Sequence, residues 1–267
     1  MDFLKLVKRR SFLSEVVYVS LNVGLAVALV FVVRSTDSLL PAFGLVLLSK
    51  WRTLAVRPRF WFANLQGDLV SLIVSVGFVV FLYNANVAGF DETTKWLVQI
   101  FWLVLYLVWM LFLKSQSKRK YVVMQASVAL FVGITAIFTM SYNWIALPVV
   151  ALTWLVGYAS ARHTLSSFDE EAHTVLLSLA WGLVLAEIGW LAYHWTIAYN
   201  IPILQNTMVP QISIIMACLS FVSYEAYKSF YRHHKIRITD ILLPLIFTVA
   251  IIAVLVLAFN SINVNTI

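Results

Sequence analysis

Glu187 and His194 place a carboxylic acid and an imidazole seven residues apart within the apolar run "WGLVLAEIGWLAYHW". Seven helical residues turn through about 700°, so the two side chains share a face, about 10.5 Å apart along the axis. That distance excludes a direct hydrogen bond but admits a relay through a water or a polar group on a neighbouring helix. A charge at the centre of a bilayer costs about 2.5 to 3.5 kcal/mol on insertion scales, so such groups are neutral, partnered or turned toward a cavity. Two chemistries fit. Glu187 can be a protonatable site in a transport or proton-coupling path, with His194 as its relay toward the surface. Alternatively, Glu187 is a neutral carboxyl that fixes helix packing, and His194 belongs to an interfacial belt with Trp195 and Tyr199. Either way, Glu187 is expected to face the helix bundle. On another side of the same helix, Gly182, Ala186 and Gly189 form a seam of small residues that lets a second helix approach closely.

A second polar face runs through Asn64, Asp68, Ser71 and Ser75, whose spacings of four, three and four align them on one helix. It can be the inner mouth of a path, with Asp68 as its acid, or a helix cap followed by serines bonded back to their own backbone. Gln99, Trp102, Tyr106 and Trp109 also align, as a stripe expected to pack.

The stretch "KWRTLAVRPRFWFANLQGD" interleaves Lys50, Arg52, Arg57 and Arg59 with Trp51, Phe60, Trp61 and Phe62. Such a segment suits the cytoplasmic interface, its rings, including Trp51 and Trp61, at headgroup depth and its cations on anionic lipid. Lys50, six residues, then Arg57 and Pro58 resemble the first signature of lipid phosphatases related to phosphatidic acid phosphatase. The signatures that carry that family's nucleophilic histidine are absent, so the resemblance implies no catalytic residue here. No His-Glu-x-x-His and no Gly-x-Ser-x-Gly is present, and no aspartate-rich diphosphate motif. His163, Asp169 and His173 are the one set that could meet a metal, but a helix cap accounts for the acids beside them. The chemistry leans away from an enzyme, and no cofactor or metal is expected. The longer stretch "LSKWRTLAVRPRFWFANLQGDLVSL" is similar to part of multi-span membrane proteins from small-genome, candidate-phylum bacteria, a resemblance that implies a membrane fold and carries over no activity.

The elements that hold these residues follow from composition. Of 267 residues 62% are hydrophobic and 12% charged, with a mean hydropathy of +0.90. Soluble domains average about 25% charged. The expectation is an all-α polytopic transmembrane bundle, one domain over residues 1–267 with no soluble domain. Nine spans are expected, at 12–33, 38–50, 65–83, 95–113, 121–140, 144–160, 174–198, 206–225 and 240–259. The second is short for a crossing, but charge argues for it. With the amino terminus inside and nine crossings, every Lys and Arg except Arg34 and Lys95 falls on the inner side. The carboxyl terminus is then outside. The net charge of +7 becomes a topology signal, and the chain lacks the soluble basic surface a nucleic-acid partner needs. A lone cysteine, Cys218, rules out an intramolecular disulfide.

Asp91 and Thr239 are expected to cap the fourth and ninth helices. Ser167 with Glu170 reads as a capping box that starts the seventh near Phe168. Two functions fit this sequence. One is a small transporter or proton-coupled component of the cytoplasmic membrane that uses Glu187, with Asp68 and His194 as relays. The other is a membrane subunit or scaffold that binds partner helices or a second copy of itself. In both, membrane lipids are the constant partner.

Overall fold

The computed structural model describes residues 2–51, 61–168, 171–194, 198–200 and 208–258. Among these residues the chain is almost wholly helical. α1 (Asp2–Thr36), α2 (Leu39–Ser49), α3 (Trp61–Val87) and α4 (Glu92–Val108) come first, and α4 runs on into a π turn, Trp109–Leu113. Then follow α5 (Arg119–Met140), α6 (Ala146–Leu165) and α7 (Thr174–His194). Two short strands, β1 (Ala198–Asn200) and β2 (Met208–Pro210), precede α8 (Gln211–His233) and α9 (Ile238–Ala258).

Six helical segments are long and apolar enough to cross a membrane: Val19–Thr36, Gly67–Val87, Glu92–Leu113, Arg119–Met140, Thr174–His194 and Ile238–Leu257. This is the architecture of an all-helical membrane protein. Three expected spans fall short of that standard. α2 is apolar but has 11 residues, about 16 Å of helix against a hydrocarbon core of about 30 Å. α6 ends on Arg162 and His163, and α8 carries Glu225, Lys228 and Arg232 through its last turns.

The chain divides into two compact units, Met1–Tyr121 and Val122–Ile267. In the first, α1, α2, α3 and α4 pack on one another. Ala26, Leu29 and Val33 of α1 are wholly buried, as are Ala42 and Val46 of α2 and Val79 and Leu82 of α3. Asp91 caps α4 as its position predicts, its carboxylate accepting the Thr93 and Thr94 N–H groups at 3.1 Å. The Thr94 hydroxyl also donates to it, and these bonds hold the Asp91 carboxyl below its ordinary value.

The second unit is built around the α6–α7 pair. A Cβ on Gly182 would lie 3.0 Å from the Trp154 carbonyl oxygen, and one on Gly157 would lie 3.2 Å from the Gly182 Cα. The expected small-residue seam is therefore the contact surface, with Ala186 buried in it. Other expectations need correction. α7 starts at Thr174, and Ser167 instead closes the end of α6, its hydroxyl donating to the Thr164 carbonyl at 2.7 Å. Asp169 and Glu170 lie outside the described residues. Thr239 falls inside the first turn of α9. The seventh and eighth spans end and begin differently too, because Ala198–Asn200 pairs antiparallel with Met208–Pro210. Pro210, at φ −62°, then leads into α8, which suits a residue that has no N–H to continue a ladder.

Candidate functional site

Asp68, Ser71 and Ser75 do line one face of α3, and the structure adds partners from two other helices. The Lys50 ammonium, at the carboxyl end of α2, donates to Ser71 Oγ at 2.9 Å and lies 3.8 Å from the Asp68 carboxylate. The Ser75 hydroxyl donates to the Ser71 carbonyl at 2.8 Å and lies 2.8 Å from the Tyr106 hydroxyl of α4. Phe78, one turn further along α3, stacks on the Tyr106 ring with centroids 4.2 Å apart. Ser71, Ser75 and Tyr106 are all buried. This cluster enters the bundle from the end where α2 stops.

A second cluster enters from the other end. Gln99 of α4 is 0% exposed. Its side-chain carbonyl accepts from the Arg34 guanidinium at 3.1 Å, and its amide donates to Asn86 Oδ1 at 3.5 Å. Asn86 donates in turn to Asp37, and Arg34 also pairs with Glu92 and lies 4.0 Å over the Trp96 ring. Asp37 sits at φ 48°, a left-handed conformation that Asp tolerates better than most residues. Its bond to Asn86 ties the α1–α2 turn to the end of α3.

Gln99 and Tyr106 are seven residues apart on α4, about 10.5 Å of rise on one face. In the 22-residue apolar segment Glu92–Leu113, Gln99 lies seven residues from one end and Tyr106 seven from the other. Both polar groups therefore reach about 10 Å in from opposite ends of the segment. Between them is an apolar layer. Val79 and Leu82 are 0% exposed, Phe78 is nearly so, and the Phe81 ring lies 4.6 Å from Trp102. The π turn begins three residues past Tyr106 with Trp109 and Met110 buried, and such turns recur at functional sites.

Gln99 and Tyr106 were missed as polar residues because their stripe reads as packing. The signal lay in its atoms, an amide and a phenol on the buried face. Of the residues expected at lipid headgroups, Lys50 turns to Ser71 and Asp68 of α3, and its side chain is 17% exposed. Trp51 is 63% exposed, and Trp61 opens α3. Arg52, Arg57 and Arg59 lie outside the described residues.

Glu187 and His194 belong to the second unit. Glu187 is exposed, on the side of α7 that also exposes Leu183, Val184, Trp190 and Leu191. The expectation that it faces the bundle is thus corrected. Among the described residues α7 packs most closely on α6, and the small-residue seam makes that contact. His194 is exposed, its Nδ1 2.9 Å from the Trp190 carbonyl oxygen of its own helix and its ring 4.9 Å from that of Trp190. No described bond joins it to Glu187. His163, of the set considered for a metal, instead bonds the Gln125 side chain at 2.8 Å. Among the described residues no three His, Cys, Asp or Glu side chains are grouped to hold a metal ion. The chain matches no protein-family model, no curated protein and no solved structure.

Proposed function

We propose that this chain is a small transporter or proton-coupled component of the cytoplasmic membrane, and that its path runs through the first unit rather than past Glu187. One observation carries this reading: buried polar clusters enter α1 to α4 from both ends and stop about 10.5 Å apart along α4. Ionisable groups inside a membrane bundle are costly and mark ion or proton pathways, and Lys50 with Asp68 opens one cluster and Arg34 the other. The Phe78, Val79 and Leu82 layer is then the closed barrier between two half-paths. Asp68, held by Lys50, is the carboxylate at the entry on one side, and Tyr106 is the innermost hydroxyl of that half-path. Nine crossings, an inner amino terminus and an inner side carrying nearly all Lys and Arg complete the proposal. On that inner side Arg52, Arg57, Arg59, Trp51 and Trp61 meet anionic headgroups.

Reconstitution in liposomes with an internal pH dye and an imposed proton or potassium gradient tests it. The wild-type chain is expected to dissipate the gradient. Tyr106→Phe and Asp68→Asn are expected to slow that at least about tenfold, a barrier change of about 1.4 kcal/mol, without loss of helical content or monodispersity. A folded wild-type chain that moves neither ion, or variants as active as it, would reject the reading.

A second reading rests on Glu187. An acid on an exposed apolar face of a membrane helix calls for a donor from outside the chain, which favours a membrane subunit that docks a partner helix there. It requires a protein that copurifies at fixed stoichiometry and is lost with Glu187→Leu; a solitary, stable monomer in lipid counts against it.

A further inference from the structure

The second unit contains a cavity of about 190 Å³, open on one side, at the end where α5 begins, α6 ends, α7 begins and α8 passes its middle. We propose that it binds one planar, lipid-soluble ring that carries a carbonyl or hydroxyl oxygen, a small quinone or phenol by chemical class. This site is separate from the path through the first unit and stands or falls independently of it.

Size is the first argument. A dry cavity of about 150 Å³ accepts benzene, so this one suits a single substituted or fused ring. It is too small for a folded phospholipid. The walls are the second argument. Trp181 of α7 and Phe221, Tyr224 and Tyr227 of α8 line it, while α5 and α6 contribute Ala126 and Ala161 beside aliphatic side chains. Aromatic side chains beside small ones leave a slot that favours a flat ligand, since rings stack in offset or edge-to-face geometry.

The third argument is a hydroxyl without a partner. Three other serines line the cavity, and each donates to its own helix: Ser127 to the Val123 carbonyl at 3.0 Å, Ser160 to Gly157 at 3.0 Å, Ser223 to Leu219 at 2.9 Å. Ser220 Oγ, also in the lining, is buried and makes no hydrogen bond. A buried hydroxyl left unpaired is costly. A single water needs two to four polar partners to settle there, and most of the wall around Ser220 is apolar or aromatic. A ligand oxygen meets the need with one bond. Access comes from the apolar side, because Leu177 and Phe221 both line the cavity and are exposed at the protein surface. A ligand that partitions into the membrane reaches it directly.

The test uses the full chain in lipid nanodiscs and 2-methyl-1,4-naphthoquinone as probe, with binding read by titration calorimetry against empty nanodiscs. One site per chain is expected. Ser220→Ala is expected to weaken it roughly five- to tenfold, which is the worth of one hydrogen bond. Ala161→Phe, which fills the slot, is expected to abolish it. Tyr224→Leu supplies a second variant should Ala161→Phe fail to fold, and is expected to weaken the ring without touching Ser220. 1-Decanol, a chain with a hydroxyl and no ring, is expected to compete poorly. No saturable binding to the folded wild-type chain would overturn the proposal. So would unchanged affinity in Ser220→Ala, or decanol competing as well as the ring.

Discussion

Glu171 shows how one side chain at the rim of the second unit sets a pH response. Its carboxylate accepts the Tyr227 hydroxyl and, at 2.9 Å, the His173 N–H. Those bonds, the first foremost, hold it below the ordinary glutamate value of 4.5, while burial and then Glu171 itself push the Tyr227 hydroxyl up. A carboxyl depressed by folding stabilises the native state above its unfolded value and loses that contribution as pH falls through the lower folded value. The contribution is therefore intact at neutral pH and disappears only below about pH 4.5. Tyr227→Phe is expected to move the Glu171 titration upward, toward the ordinary range. Carbon-13 NMR of glutamate-labelled protein, with the signal assigned by Glu171→Gln, reads this; an unmoved titration would show that the Tyr227 bond does not set it. This bond was not legible in the sequence, because it spans 56 positions. Local grammar served better where both partners are close in the chain: Asp91 caps the Thr93 and Thr94 N–H groups as its position implies. Ser71 and Ser75 were legible as a face, but Tyr106 as the partner of Ser75 was not, because that bond spans 31 positions.

Among the elements, the α6–α7 pair gives the sharpest test of packing. A Cβ on Gly189 would stand 2.8 Å from Thr153 Cγ2. Thr153 is wholly buried and β-branched, so it has little room to turn away. Gly189→Ala is expected to destabilise the chain by about 1 to 3 kcal/mol through overpacking. Gly24→Ala, on α1 with nothing within 4 Å of the added carbon, is expected to be neutral or to stabilise by about 0.5 to 1 kcal/mol. Thermal unfolding of both variants in the same detergent checks the pair, and equal shifts would mean that the seam is not close-packed. The helical spacing of its small residues makes this contact legible in the sequence alone. The same spacing logic misplaced Glu187, because it shows which residues share a face and not which face finds a neighbour. Two further features have no periodic signal at all. The π turn after Val108 depends on a backbone choice of one extra residue per turn, and the β1–β2 ribbon occupies three residues a side, too few to show alternation.

On the scale of the whole molecule, composition reveals the membrane class, whereas the number of crossings depends on three helices of mixed character. The six long apolar segments alone are an even number, which puts both termini on one side. Adding α2, α6 and α8 makes nine and separates the termini. The proposal of nine rests on charge, since of these two arrangements nine keeps Lys50 and the arginines after it on the same side as Lys5, Lys8, Arg9 and Arg10. α2 has physical means to complete a short crossing. Its Lys50 is anchored inside the protein by Ser71 and Asp68, and a bilayer thins around a short helix at a modest cost per ångström. The polar ends of α6 and α8 also find protein partners. Arg162 bonds the Tyr158 hydroxyl at 3.1 Å, and Lys228 pairs with Glu225 at 2.8 Å, so one is hydrogen-bonded and the other neutralised within the chain. Nine crossings therefore predict a carboxyl terminus on the opposite side from the amino terminus. Alkaline phosphatase, active only outside the cytoplasm, and a green fluorescent protein that matures only inside it can each be fused to the carboxyl terminus in a bacterial host. High phosphatase activity with a dark fluorescent fusion is the expected pair. A bright fluorescent fusion with inactive phosphatase would place the carboxyl terminus inside and, with the amino terminus inside as proposed, would exclude nine crossings in favour of an even number.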